Sequence, residues 1–117
     1  MALDAQTTIQ LARDYSAYPA GRYPEDGPYN GQKFRDRYLM PALKRAERVV
    51  VDIDGIATLP SSFWEEVWGG LVRKAKLSET TIRERFQVTT TDEDLTNFVN
   101  IAWKFVSEEQ GRQEKAA

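Results

Sequence analysis

Four β-branched residues in five positions, Val49, Val50, Val51 and Ile53, constrain this chain more than any other feature. Such a run is a buried strand, and its near-continuous apolarity predicts a central strand over 48–54 with helices on both faces. It leads into Asp54-Gly55, an ordinary turn pair, and then into a helix over 61–74. Ser62 and Glu65 have the S-x-x-E spacing of a capping box. Phe63, Val67, Leu71 and Val72 form the inward stripe of that helix. Trp64 and Trp68 make a second ridge at i, i+4, and two readings stay open for it. The rings either cover the flank of the core or stand exposed for a partner, because tryptophan dominates binding energy where it docks. Gly69 and Gly70 cost about 1 kcal/mol each relative to alanine inside a helix, which predicts close approach of another element there.

The rest of the chain alternates between the two periodicities. Ile9 and Leu11, set among polar neighbours, predict a first strand over 6–15 at or near a sheet edge. Residues 16–30 hold Pro19, Pro24, Pro28, Gly21 and Gly27 and read as a long loop. Its tyrosines, Tyr18, Tyr23 and Tyr29, either pack the loop down or present a contact surface. A helix is expected over 31–47, capped by Asn30 and kinked or restarted at Pro41. Its basic residues Arg35, Arg37, Lys44 and Arg45 read as a solvated face. A short helix over 78–86 has Ser78 as its cap, and a short strand over 86–90 follows. Thr91 and Asp94 have cap spacing. Leu95, Phe98, Val99, Ala102, Phe105 and Val106 then repeat at the helical period. The charged tail 108–117 is expected to fray.

With 117 residues the chain is the size of one domain, and no repeat or linker divides it. Its core is expected over about 6–107. Alternating strands and helices predict an α/β domain with a partly parallel sheet of about four strands. Sixteen basic and eighteen acidic residues argue against a nucleic-acid binder, which needs a basic face. The chain has no cysteine and no histidine, so disulfides, Cys/His zinc sites and imidazole-based triads are excluded. The first residues lack the basic and apolar regions of a secretory signal, and no stretch has the ~20 apolar residues of a membrane span. A cytoplasmic protein is expected, with no cofactor and no membrane partner.

Two resemblances bear on the run at 49–71. V-V-V-D-I-D-G-I-A-T-L resembles the opening motif of haloacid-dehalogenase-type phosphatases. That resemblance would make Asp52 a nucleophile and Asp54 a general acid/base, with magnesium. It covers about ten residues, Ile56 stands where that family has threonine, and the family's motif begins the chain. From about Tyr29 to Val106 the chain resembles the STAS-like domain family of unknown function. The residues that carry this are N-G-Q-K-F-R (30–35), V-V-V-D-I-D-G-I (49–56) and S-S-F-W-E-E-V-W-G-G-L (61–71). More remotely it resembles the anti-sigma factor antagonists, small STAS domains whose D-S-S-G-L turn carries a regulated phosphoserine at a helix N-terminus. Ser62 matches that serine. Pro60 replaces the family's aspartate, and Phe63 and Trp64 replace its glycine and leucine.

The STAS resemblance implies a single STAS-like domain and a non-enzymatic, regulatory, protein-binding role. Ser62 and Ser61 are the candidate phosphorylation sites. Ser61, Ser62, Trp64 and Trp68 are the candidate partner surface, and a GHKL-type ATPase/serine kinase is the implied partner. The alternative is a small inhibitor or accessory protein of a phage or other mobile element, bound to a larger assembly. The magnesium-dependent phosphatase site at Asp52 and Asp54 stands behind both.

Overall fold

The computed structural model of the protein describes residues 2–116. Three parallel strands form its sheet, in the order β1 (Asp4–Gln10), β2 (Ala46–Asp52), β3 (Phe86–Thr89). The β-branched run is the central strand, as its composition requires. In register, Thr7, Val49 and Phe86 form one row, and Ile9, Val51 and Val88 another. Both rows face the helices and form the floor of the core. The expected fourth strand is absent among the described residues. The expected first strand also stops early. After Gln10 the chain turns through a π-helical segment, Leu11–Tyr15. Leu11 and Tyr15 are four apart and both buried, so the helical period takes over where the alternation ends.

A second correction concerns the sheet's other face, on which no helix layer lies among the described residues. Gln6, Thr8, Arg48 and Gln87 stand exposed on it, with Val50 as its buried apolar member. A continuous valine run reads as cover on both sides. The neighbouring strands decide otherwise, because β1 and β3 alternate and turn polar side chains outward.

The helical stretch 31–45 connects β1 to β2. Asn30 opens it by accepting the Lys33 N–H at 2.9 Å. It runs as α1 (Gly31–Phe34), a π-helical turn (Arg35–Leu39) and α2 (Met40–Arg45). The π turn lies just before Pro41, whose missing N–H interrupts the α ladder. Of the four basic residues expected on a solvated face, Arg37, Lys44 and Arg45 are exposed and Arg35 is buried.

Helix α3 (Ser61–Arg73) supplies the centre of the core. Phe63, Val67, Leu71 and Val72 are buried as the stripe predicts, and so are Trp64 and Trp68. The reading of these tryptophans as an exposed ridge is therefore corrected. Trp64 donates its indole N–H to the Phe98 carbonyl at 2.9 Å. Trp68 sits among the rings of Trp64, Phe86 and Trp103 at centroid distances of 5.5, 5.8 and 5.6 Å. Its own N–H has no acceptor. The α3 stripe is wide because the helix meets the sheet on one side and another helix on the next.

That other helix is α5 (Thr96–Ala116). The chain reaches it through α4 (Glu79–Arg85), which Ser78 caps as expected, then β3 and a 3-10 turn (Glu93–Leu95). Asp92 caps that turn, in place of the Thr91/Asp94 pair expected from spacing. Beyond Ser107 the chain continues as helix to Ala116. Glu109 is buried, and Gln110 accepts the N–H of Glu79 at 2.8 Å.

Replacing Trp68 by alanine leaves a large cavity between sheet, α3 and α5. We expect Trp68→Ala to cost about 3–5 kcal/mol of stability, read as a lowered urea midpoint. A midpoint equal to wild type would mean that the ring is not packed in the core.

Candidate functional site

Each strand of a parallel sheet delivers its next loop at the same end, so the turns after β2 and β3 meet. The Asp52 carboxylate accepts the Asp54 N–H at 2.9 Å. Gly55 follows at φ +85°, a left-handed conformation that a side chain would strain. Asp54 reaches across to the end of β3. It accepts the Thr90 hydroxyl at 2.5 Å, the Thr91 hydroxyl at 2.7 Å and the Thr91 N–H at 2.8 Å. The Thr90 hydroxyl, followed by the Thr91 groups, holds the Asp54 carboxyl below its ordinary range. Both Asp54 oxygens are thereby used in joining the two loops. Among the described residues no three of His, Cys, Asp or Glu converge in a way that would hold a metal ion. The donor set around Asp52 and Asp54 does not fit a magnesium-dependent phosphatase.

The loop continues to α3 with the Ala57 N–H donating to Ala17 O at 2.9 Å. Pro60 occupies the N-cap position and no side chain caps the helix. The capping box expected from Ser62 and Glu65 is not formed. Ser61 and Ser62 fall on the first two helical residues, one and two positions too late to cap, and both are exposed. Neither hydroxyl has a hydrogen-bond partner among the described residues. Phe63 and Trp64, the two bulky residues after them, turn inward.

Beside Ser61 opens an apolar groove of about 250 Å³ between α3 and α5. Leu59 and Trp64 line it from one side, and Phe98, Ile101 and Phe105 from α5. Lys104 and Glu108 stand on its α5 side. Trp64 thus contributes a nearly covered ring edge, not a protruding side chain. A larger polar hollow of about 470 Å³ lies between Pro24, Pro28 and the helix bearing Lys33 and Arg37.

On the opposite flank of α3 lies a charged cluster that sequence reasoning missed. Glu66 is fully buried and Arg35 nearly so. Arg35 Nη1 donates to the Glu66 carboxylate at 2.6 Å and to the Glu66 carbonyl at 2.9 Å. Arg73 donates to Glu66 at 3.1 Å, to Glu65 at 3.2 Å and to Glu109 at 2.6 Å. Arg22, from the long loop, pairs with Glu65. Members of this cluster take the space that Gly69 and Gly70 leave. A Cβ on Gly70 would collide with the Arg35 guanidinium, and one on Gly69 with the Glu65 carboxylate. The glycine pair was the readable signal, and its approaching element is this cluster. Burial pushes the Glu109 carboxyl up, but bonds from Gln113, Arg112 and Arg73 outweigh it and leave the group below its usual range.

Loop 16–30 is held by its own bonds, with Asp26 accepting the N–H groups of Arg22 and Tyr23, each at 3.0 Å. It carries Tyr18, 70% exposed, with Tyr23 and Tyr29 less so.

The family model described as a STAS-like domain of unknown function (DUF4325) matches residues 30–96. This is more than half of the chain and runs from the Asn30 cap to the start of α5. No curated protein and no solved structure matches the chain.

Two expectations follow. Glu66→Ala leaves Arg35 buried and unpaired and should cost about 3–5 kcal/mol, measured by chemical denaturation. Asp54 and Glu109 both have depressed folded values, so the stability that each contributes is full above the ordinary carboxylate range. It is lost as pH falls through the folded value. Asp54→Asn and Glu109→Gln should each flatten the acid limb of stability against pH. An unchanged slope in both would sink this assignment.

Proposed function

The chain belongs to the STAS-like family of unknown function, and from that premise we propose that it is a non-enzymatic regulatory domain that binds another protein. The binding surface is the first turn of α3 together with the groove beside it. Phosphorylation of Ser62, or of Ser61, switches that surface. The resemblance to anti-sigma factor antagonists favours a GHKL-type ATPase/serine kinase as the partner.

One observation carries this reading: two exposed, unbonded serine hydroxyls open α3, and the first of them, Ser61, lines an apolar groove. The chemistry of a switch there follows from the helix. The first turn of α3 has unpaired backbone N–H groups and the positive end of the helix dipole. A phosphate on Ser62 adds about 1.5 to 2 negative charges, which that turn tolerates. The same charge opposes docking of an apolar segment into the groove of Leu59, Trp64, Phe98 and Ile101. The inward packing of Phe63 and Trp64 leaves a kinase free approach to the serines.

The test is a pull-down from the native host, followed by affinity measurements with variants. Wild-type bait is read by mass spectrometry for partners and for phosphate at Ser61 and Ser62. Ser62→Asp should weaken the partner complex about ten-fold or more, a loss of ~1.4 kcal/mol, while Ser62→Ala binds as wild type. Ile101→Asp should weaken it comparably without unfolding the domain. Equal binding by Ser62→Asp, Ser62→Ala and Ile101→Asp would refute both the switch and the surface.

A further inference from the structure

The outer edge of β1 is open. At the end of β2, Ile53 donates to Thr89 on β3 at 3.0 Å, so the odd-numbered residues of β2 bond towards β3 and its even-numbered residues bond towards β1. The paired register, Gln6 with Arg48 and Thr8 with Val50, then uses the backbone groups of the odd-numbered residues of β1. Asp4, Gln6, Thr8 and Gln10 turn their N–H and C=O groups outward. The Gln10 N–H is taken by the Asp14 carboxylate at 2.7 Å, which closes the ladder at that end. Gln6 and Thr8 have no such partner among the described residues, and both are exposed.

Exposed edges are ordinarily protected by proline, lysine, a bulge or a covering element. The sequence Asp4-Ala5-Gln6-Thr7-Thr8-Ile9-Gln10 contains no proline, lysine or glycine. Its threonines and isoleucine favour extended backbone. The open window runs from Asp4 to Thr8, an odd number of residues centred on Gln6.

We propose that this edge pairs with the same edge of a second copy of the chain, antiparallel, about a two-fold axis through Gln6. Gln6 then faces Gln6 of the partner copy, and each Asp4 faces a Thr8. The side chains agree with that register. The Thr8 hydroxyl donates to the Asp4 carboxylate opposite it, the two amides pair with each other, and no like charges meet. All three positions bond outward, so the pair is hydrogen-bonded on both strands. A two-fold axis normal to the sheet keeps every helix on one side and leaves the polar face in water. The product is one six-stranded sheet with a self-complementary junction.

The experiment is sedimentation velocity of the full chain over rising concentration, with Gln6→Lys and Gln6→Glu as variants. Gln6 is exposed and its backbone N–H faces away from β2, so both variants retain the fold, verified by circular dichroism. Wild type should shift from one chain to two. Each variant alone places like charges at the axis and should associate about ten-fold more weakly or worse. An equimolar mixture of the two should associate again, because lysine then faces glutamate. A wild-type chain that stays monomeric at every concentration overturns the proposal, including when the edge takes up a peptide from another protein instead. Self-association that persists in both single variants, or a mixture that fails to recover it, also overturns pairing through Gln6.

Discussion

The placement of α3 depends on one buried ion pair, Arg35 with Glu66. A lone charge in that position would cost several kcal/mol, so neither residue can be buried without the other. The pair is well satisfied: Arg35 holds both the carboxylate and the carbonyl of Glu66, and Arg73 binds the other carboxylate oxygen. Its effect is selective more than additive. An apolar pair of similar volume would stabilise about as well, but it would tolerate a slipped helix, which the ion pair does not. Through Arg22 and Glu65 the cluster positions the long loop, and through Arg73 and Glu109 it positions the last turns of α5. Gly70 is part of the same constraint, because any side chain there would displace Arg35.

The parts of this fold legible in the sequence are those written in one local period. The α3 stripe, the Asn30 and Ser78 caps and the central β2 run need only residues a few positions apart, and each stands where spacing puts it. Misreadings arose where a distant residue outbid a local one. The Ser62/Glu65 capping box fails because α3 already begins at Ser61, with Pro60 at the N-cap, and Glu65 pairs with the distant Arg22 and Arg73. The tail after Ser107 looks like a solvated charged segment. Its order comes from Arg73, 36 residues upstream of Glu109, which no window on the tail contains. Of the candidate surface, a local window shows Ser61 and Ser62 at the start of a helix, but the α5 wall of the groove beside Ser61 is contributed by residues more than thirty positions away.

The sheet has consequences beyond its length. A parallel sheet ordinarily has helices on both faces because its crossovers lie there. Here the crossovers load one face, and polar residues at Gln6, Thr8, Arg48 and Gln87 make the other face soluble. That solution leaves both edges without a second layer to shield them. The domain therefore relies for its apolar burial on the aromatic series from Tyr15 through Phe34 and Phe63 to Trp64 and Trp68, in which successive ring centroids lie 5.1 to 6.4 Å apart. Trp68, whose indole N–H has no acceptor among the described residues, is held there by apolar packing. That arrangement trades one hydrogen bond for a large buried area.

The same asymmetry separates the two proposed docking surfaces. The α3/α5 groove lies towards β3, since α5 packs on α3 and touches β3. The open edge belongs to β1, at the other side of β2. A two-fold pair joined at β1 would therefore carry its grooves at the outer flanks of a six-stranded sheet, well apart and facing the same way. Nothing in the packing of α3 or α5 would have to move for β1 to pair, because pairing would use backbone groups of β1 that face away from the sheet. Occupation of a groove and pairing at the edge would then be independent events, each sensitive to its own charge: a phosphate near Ser62 for one, a residue at position 6 for the other. A paired domain would present two grooves to one partner assembly, and the second contact would gain from the effective concentration set by the first.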